Sequence, residues 1–207
     1  MDKKKINSRQ INALETKKRI YETANRLFRA KGFQKVSVDT IVETAKVSKG
    51  SFYVHFESKD ALLVSLIGDY VNEIDLDYKN YILSLDMTSA SDILMSLVGK
   101  IADVLTHSIG YDHMNTLYRV QLERTINMDA ISGYNREIYK MFNDILQKGV
   151  DQGEFITEIP VDTLSRHLMI AFRGLTYEWC IRHPDFDLKE QALKHFEIFL
   201  KGIKKSC

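Results

Sequence analysis

Three serines, Ser37, Ser48 and Ser58, each stand directly before a run of residues able to form helix. A serine oxygen accepts from the free amides of a first helical turn, so each reads as a helix start. The interval between Ser48 and Ser58 holds about two turns, at 3.6 residues per turn. A helix that short is unstable alone in water. Its neighbours must hold it, which makes the segment part of a packed helical unit. Lys46 and Val47 leave a turn of about three residues before the short helix, the length found in a helix-turn-helix.

The rest of the chain extends this pattern. Apolar Ile20, Tyr21, Ala24, Leu27 and Phe28 recur at helical spacing, predicting a first helix over about 13–31. Gly32 sits where a left-handed C-cap belongs, and Phe33 can fold back on the last turn. Val38, Ile41, Val42 and Ala45 form the apolar side of a second helix after Ser37. A fourth helix begins after Ser58 and carries Leu62, Leu63, Leu66, Ile67, Tyr70, Val71 and Ile74 toward Tyr81. Further helices are expected from Ser89 or Ser91 to His107, His113 to Ile126, Asp129 to Gln152, Pro160 to before Pro184, and Leu188 to Gly202. With only 10 glycines and 2 prolines, long helices are favoured over a turn-rich β fold. The expectation is an all-α chain of about nine helices. A helix-turn-helix domain spans 1–58, with a basic arm at 1–12, and a larger helical domain spans 59–207.

Charge separates the same two regions. Residues 1–60 hold 14 Lys+Arg and 7 Asp+Glu, a balance of +7; the remainder holds 15 and 21, a balance of −6. A basic first third on an acidic body points to a polyanion partner for the first third alone. Cys180 and Cys207 make neither a disulfide framework nor a zinc site. No apolar run approaches the roughly 20 residues that span a bilayer, and the basic start lacks the apolar core of a signal peptide. These features fit a cytoplasmic protein that uses no membrane. Histidines are scattered, without paired cysteines or repeated carboxylate spacing, so catalysis, metal and cofactor find no support.

The run Val47-Ser48-Lys49-Gly50-Ser51-Phe52-Tyr53-Val54-His55-Phe56, then Ser58-Lys59-Asp60-Ala61-Leu62, resembles the signature of TetR-type transcriptional regulators. The resemblance covers about residues 13–65. More loosely, Gly149 to Phe155, and Gly174 through Trp179 to Leu188, are similar to that family's helix junctions. It implies a DNA-binding role for Ser37, Thr40, Ser48, Lys49, Ser51, Tyr53, His55 and Lys59. Ser37 and Thr40 would face the DNA backbone. Lys49 can donate to a guanine edge or a phosphate, and Ser51 to either base or phosphate. Tyr53, His55 and Lys59 match phosphate contacts. Gly50 leaves the short helix bare toward whatever approaches it, at about 1 kcal/mol relative to Ala. Phe52 and Phe56, four apart, should pack inward. Two positions depart from the pattern. Lys46 stands where many relatives have Gly, and in a left-handed conformation it would cost about 1–2 kcal/mol. Asp39 stands where many have Arg; it would repel phosphate, leaving readout of a cytosine amine open.

For the body, the resemblance implies a homodimer and a small-molecule effector. Leu164, Leu168, Ala171 and Leu175, with Phe196, Phe199, Leu200 and Ile203, form two apolar stripes suited to a four-helix interface between twin subunits, or to the monomer core. Tyr118, Gln121, Phe142, Met169, Phe172, Arg173, Thr176 and Trp179 are candidates for a mostly aromatic pocket taking an apolar or amphipathic ligand. Arg173, flanked by apolar residues, wants an acidic partner, for which Glu123 is a candidate. The function expected is a sequence-specific repressor released from a palindromic operator by that ligand. A ligand-independent regulator or activator, and a helical interaction module without DNA reading, remain the alternatives.

Overall fold

The computed structural model describes residues 8–124, 126–156 and 158–204. The chain divides into two compact units, Met1–Asp69, here the head, and Tyr70–Cys207, here the body. The regular structure of the described residues is helical, and their only strand-like pairing is an isolated bridge between Phe155 and Lys204.

In the head, α1 runs Ser8–Lys31, α2 Val38–Ala45 and α3 Lys49–His55; α4, Lys59–Ser84, starts here and ends in the body. The expected arm is shorter than 1–12, because helix α1 already begins at Ser8; residues 1–7 lie outside those described. All three serine caps form. Ser37 Oγ accepts from the Thr40 amide at 3.0 Å, Ser48 Oγ from Ser51 at 3.0 Å, and Ser58 Oγ from Ala61 at 3.0 Å. Gly32 has φ +79°, and its amide donates to Phe28 O at 2.9 Å. That left-handed turn sends Phe33 back edge-on to Phe28, with centroids 5.0 Å apart. Ile20, Ala24, Phe28, Phe33, Ile41, Phe52, Phe56, Leu62 and Leu63 close the head's core. Thus α3 survives at seven residues because Phe52 and Phe56 anchor it there.

The body holds the end of α4 and α5 (Ala90–Asp103), which continues as a π-helical turn over Val104–Ile109. Then follow α6 (Tyr111–Glu123), α7 (Asp129–Ser132), α8 (Glu137–Asp151), α9 (Val161–Arg182) and α10 (Leu188–Ile203). Helix α5 packs on α10 and α8, and α9 on α8, α10 and α6. Phe142, Phe172 and Phe196 meet at its centre, with centroids 6.0–6.3 Å apart. Among the described residues, no single helix is long and apolar enough to cross a membrane.

The helix expected from Asp129 to Gln152 is in fact two, α7 and α8. Arg136 holds the break. Its Nε and Nη2 donate to Asp75 at 3.2 and 2.6 Å, and Nη1 donates to Ile131 O at 2.8 Å. Arg136 adopts an extended conformation to make these bonds, and α8 restarts after it. Sequence periodicity carries no trace of such a partner, because Asp75 is distant in the chain.

The Gly149–Phe155 segment performs three structural tasks. Gly149 leaves room for the Phe155 ring; a Cβ there would stand 2.1 Å from it. Gly153, at φ +69°, turns the chain out of α8. Glu154 then caps α5 from outside, accepting from the amides of Ala90 (2.7 Å) and Ser91 (3.0 Å) and from the hydroxyls of Ser89 and Ser91. Burial opposes ionisation of Glu154, but the bonds from Ser91, Ala90 and Ser89 outweigh it and hold its carboxyl below the ordinary range.

Candidate nucleic-acid interface

The two helices of the helix-turn-helix present their N-terminal ends with matching chemistry. Ser37 Oγ lies 2.9 Å from Thr40 Oγ1, and Ser48 Oγ lies 2.8 Å from Ser51 Oγ. Each pair sits where unpaired amides and the helix dipole favour an anion. Helix α3 is divided by face. Phe52 and Phe56 are buried, whereas Ser48, Lys49, Gly50, Tyr53 and Val54 are exposed and Ser51 and His55 half-buried. A Cβ added to Gly50 would meet only Ser48 Oγ, at 3.8 Å, so nothing inside the protein requires glycine there.

The α2–α3 turn resolves the question raised by Lys46. The residue is left-handed, at φ 53° and ψ 49°, and its amide reaches back to Glu43 O. The Val47 amide bonds Val42 O at 3.0 Å, closing the end of α2. The strain of about 1–2 kcal/mol is therefore present.

Lys59, expected from the resemblance to contact phosphate, makes bonds within the head. Its ammonium donates to Phe33 O (3.0 Å) and Val36 O (2.9 Å) and lies 4.1 Å from the Phe33 ring centroid. The geometry makes it a tie from α4 to the α1–α2 turn, beside the 3.3 Å bond that Phe33 O accepts from the Val36 amide. One surface residue, Val54, was not expected from sequence, and the departure at Asp39 acquires a partner. Val54 is 79% exposed, an apolar side chain beside Tyr53 suited to a thymine methyl. Asp39 pairs with Lys49 at 2.7 Å, and its hydrogen bond and charge raise the Lys49 ammonium above the ordinary lysine range.

This arrangement agrees with known proteins. Residues 20–66 match the model of bacterial regulatory proteins of the tetR family. Residues 20–66 thus form a DNA-binding domain of the TetR type. The chain is 27% identical over 191 residues to the HTH-type transcriptional repressor KstR2 of Mycolicibacterium smegmatis, covering 90% of each chain. Similarity to the uncharacterized HTH-type transcriptional regulator YuxN of Bacillus subtilis is higher, 46%, but confined to 59 residues, 28% of this chain and 20% of that one. The fold resembles that of Thermus thermophilus FadR, a TetR-family repressor crystallised with lauroyl-CoA: TM-score 0.66, 21% identity, covering 89% of this chain and 93% of that one.

The residues expected to line a pocket fall in different places in the body. Phe142, Met169, Phe172, Thr176 and Trp179 are buried in its core, and Gln121 is exposed. The Tyr118 hydroxyl donates to Arg173 O at 2.9 Å, and burial pushes its pKa up. Arg173 does not pair with Glu123, which binds Arg119 one turn away. Instead its Nη2 donates to Ser132 O at 2.6 Å and its guanidinium lies within 5.7 Å of the Tyr134 and Tyr139 ring centroids. Two of the cavities lined by described residues open on the body, and neither of these two is bordered by any of the eight expected residues. One, of about 510 Å³, is lined by Asn72, Asp75, Lys79, Asn135, Arg136 and others; the second, of about 270 Å³, by Tyr134, Tyr139, Asn143, Ser165, Arg166 and others. Among the described residues the Tyr139 hydroxyl is buried without a hydrogen-bond partner.

The two apolar stripes expected on α9 and α10 are divided between core and surface. Leu164, Leu168, Phe196, Leu200 and Ile203 are buried in the chain's own core, as the monomer-core alternative expects. Ala171, Leu175 and Phe199 are only half-buried. The face left open on α9 is Ile170 (51% exposed), Gly174, Tyr177 (42%) and Ile181 (60%), at a 4-3-4 spacing; α10 adds Ile198 (69%).

Proposed function

We propose that this chain is a homodimeric transcriptional repressor that reads a palindromic DNA site with α3 and is released from it by an amphipathic small molecule. One observation carries the DNA reading. Helix α3 is fixed by buried Phe52 and Phe56, while its capped N-terminal end carries Lys49, bare Gly50 and Ser51 outward. That is the geometry of a helix entering a major groove end first, with Tyr53 and His55 placed for the flanking backbone.

Dimerisation is supported by the open apolar stripe Ile170–Gly174–Tyr177–Ile181 with Ile198. A Cβ on Gly174 would meet nothing within 4 Å, so a twin helix has room to approach. A two-fold dimer presents two copies of α3 to a palindrome. For the effector, the cavity beside the partnerless Tyr139 hydroxyl combines tyrosine rings with polar groups, which suits a ligand with an apolar body and a polar end. The lauroyl-CoA held by FadR belongs to that chemical class. Helix α4 is one unbroken helix with residues in both units, and a ligand that favours one tilt of it shifts the population away from the DNA-fitting state. It does so only by binding that state better.

Selection of duplexes from a random pool at physiological salt tests the reading. An enriched palindrome is the expected result, and a folded dimer that enriches nothing refutes it. Lauroyl-CoA is the first effector probe. An operator complex that survives saturation with it and with other acyl and ring-bearing amphiphiles would favour a ligand-independent regulator.

A further inference from the structure

Asp39 is the second residue of α2, and Lys49 is the first of α3. Their side chains meet across the helix-turn-helix, Nζ to Oδ1 2.7 Å, with 54% of the lysine and 72% of the aspartate side chain exposed. A pair so exposed adds little to folding. It also works against simple phosphate binding, since the carboxylate repels phosphate and cancels the ammonium. What the pair does supply is a donor held beside an acceptor, on the surface that faces the groove in the reading above.

That combination has a complement among base pairs. In the major groove a G·C pair shows the N7 and O6 acceptors of guanine next to the N4 amine of cytosine. The ammonium satisfies the guanine acceptors while the carboxylate accepts from the cytosine amine. An A·T pair serves less well. Adenine N7 and N6 match the pair, but thymine O4 then faces the carboxylate, and acceptor meets acceptor. Bare Gly50, directly after Lys49, leaves room for a base edge to come close.

We propose that Asp39 and Lys49 read one G·C base pair in each recognition site as a single unit, making Asp39 a specificity-determining residue. The inference rests on the DNA-reading role proposed above. Both charges remain paired in the free protein, so the reader is preorganised, and Asp39 accounts for selectivity by penalising DNA that offers it no amine.

The test is duplex selection with the full-length wild type and the Asp39→Ala, Asp39→Asn and Lys49→Ala variants, followed by competition binding; circular dichroism confirms folding. The wild type is expected to require G·C at one position of each half-site, preferring it over A·T by roughly 5- to 150-fold. All three variants should lose that preference at the same position and keep the others. Asp39→Ala should also bind unrelated DNA more tightly, and a double variant carrying Asp39→Ala and Lys49→Ala should lose no more at that position than either single one. The proposal is overturned if the variants relax different positions, if Asp39→Ala leaves the base pattern unchanged, or if A·T is enriched there. A wild type that enriches no sequence retracts the DNA reading itself, and this inference with it.

Discussion

The head and the body are both helical and both closed around aromatic residues, yet they use their surfaces differently. In the head, side chains that build the core alternate with exposed ones, within a single short helix. Phe52 and Phe56 go in; Lys49, Gly50 and Tyr53 stay out. In the body the long helices have apolar residues on more than one side, and only some of them are buried. Leu168 is in the core and Ile170, two residues on, faces outward. The difference teaches that chemistry imposed on a short element leaves a dense, readable pattern, whereas packing alone accepts any apolar residue of suitable volume.

The two units can be set against each other by substitutions. The largest effects come from their anchors. Asp75→Ala strands Arg136 in a site where its side chain is 16% exposed, and should cost the body about 3–5 kcal/mol in urea denaturation. The Asp75→Leu, Arg136→Met pair should recover most of it. Phe52→Ala should cost the head about 3–5 kcal/mol. Its signature is a separate early thermal transition and loss of DNA binding, with the body's transition unmoved; a single shared transition would show that the units do not unfold independently.

Smaller effects sharpen the contrast. Glu154 has a depressed carboxyl, so its stabilisation is full above the unfolded value near 4.5 and is lost as pH falls through the folded value. Glu154→Gln should therefore remove part of the acid-side fall of body stability and leave the head's pH dependence alone, as read by melts between pH 3 and 7. Gly50→Ala should stabilise the head by about 1 kcal/mol, because helix propensity gains and no internal atom objects. It should nonetheless weaken DNA binding, since the methyl occupies the space of the base edge. Unchanged affinity would mean that Gly50 does not face the groove. Lys46→Gly should give the smallest change, a gain of about 0.5–1 kcal/mol from released left-handed strain less the added freedom of the unfolded chain.

Much of this was legible in the sequence, for reasons that can be traced to residues. Ser37, Ser48 and Ser58 announced three helix starts because N-capping is a local interaction between a side chain and amides two or three residues on. Gly32 and the Phe28–Phe33 contact were readable for the same reason. The conformation of Lys46 was not. A residue with a Cβ is held left-handed only when bonds such as Val47 to Val42 make the turn worth its strain. The bonds of Lys59 to Phe33 and Val36 were not readable, because those carbonyls lie two helices earlier in the chain.

By itself, then, the sequence determined the helical class, the helix-turn-helix with its caps, and the inward turn of Phe52 and Phe56. These depend on periodicity and on neighbours a few residues away. Tertiary structure alone decided that Arg136 breaks the body helix by reaching Asp75, that Glu154 caps α5, that Arg173 lies against Tyr134 and Tyr139, and that Ile170 rather than Leu168 faces out. It alone joined Asp39 to Lys49. Each of those depends on which helices lie side by side and at what rotation. That is set by the packing of the whole core, where apolar stripes of equal hydrophobicity compete and shape complementarity chooses among them.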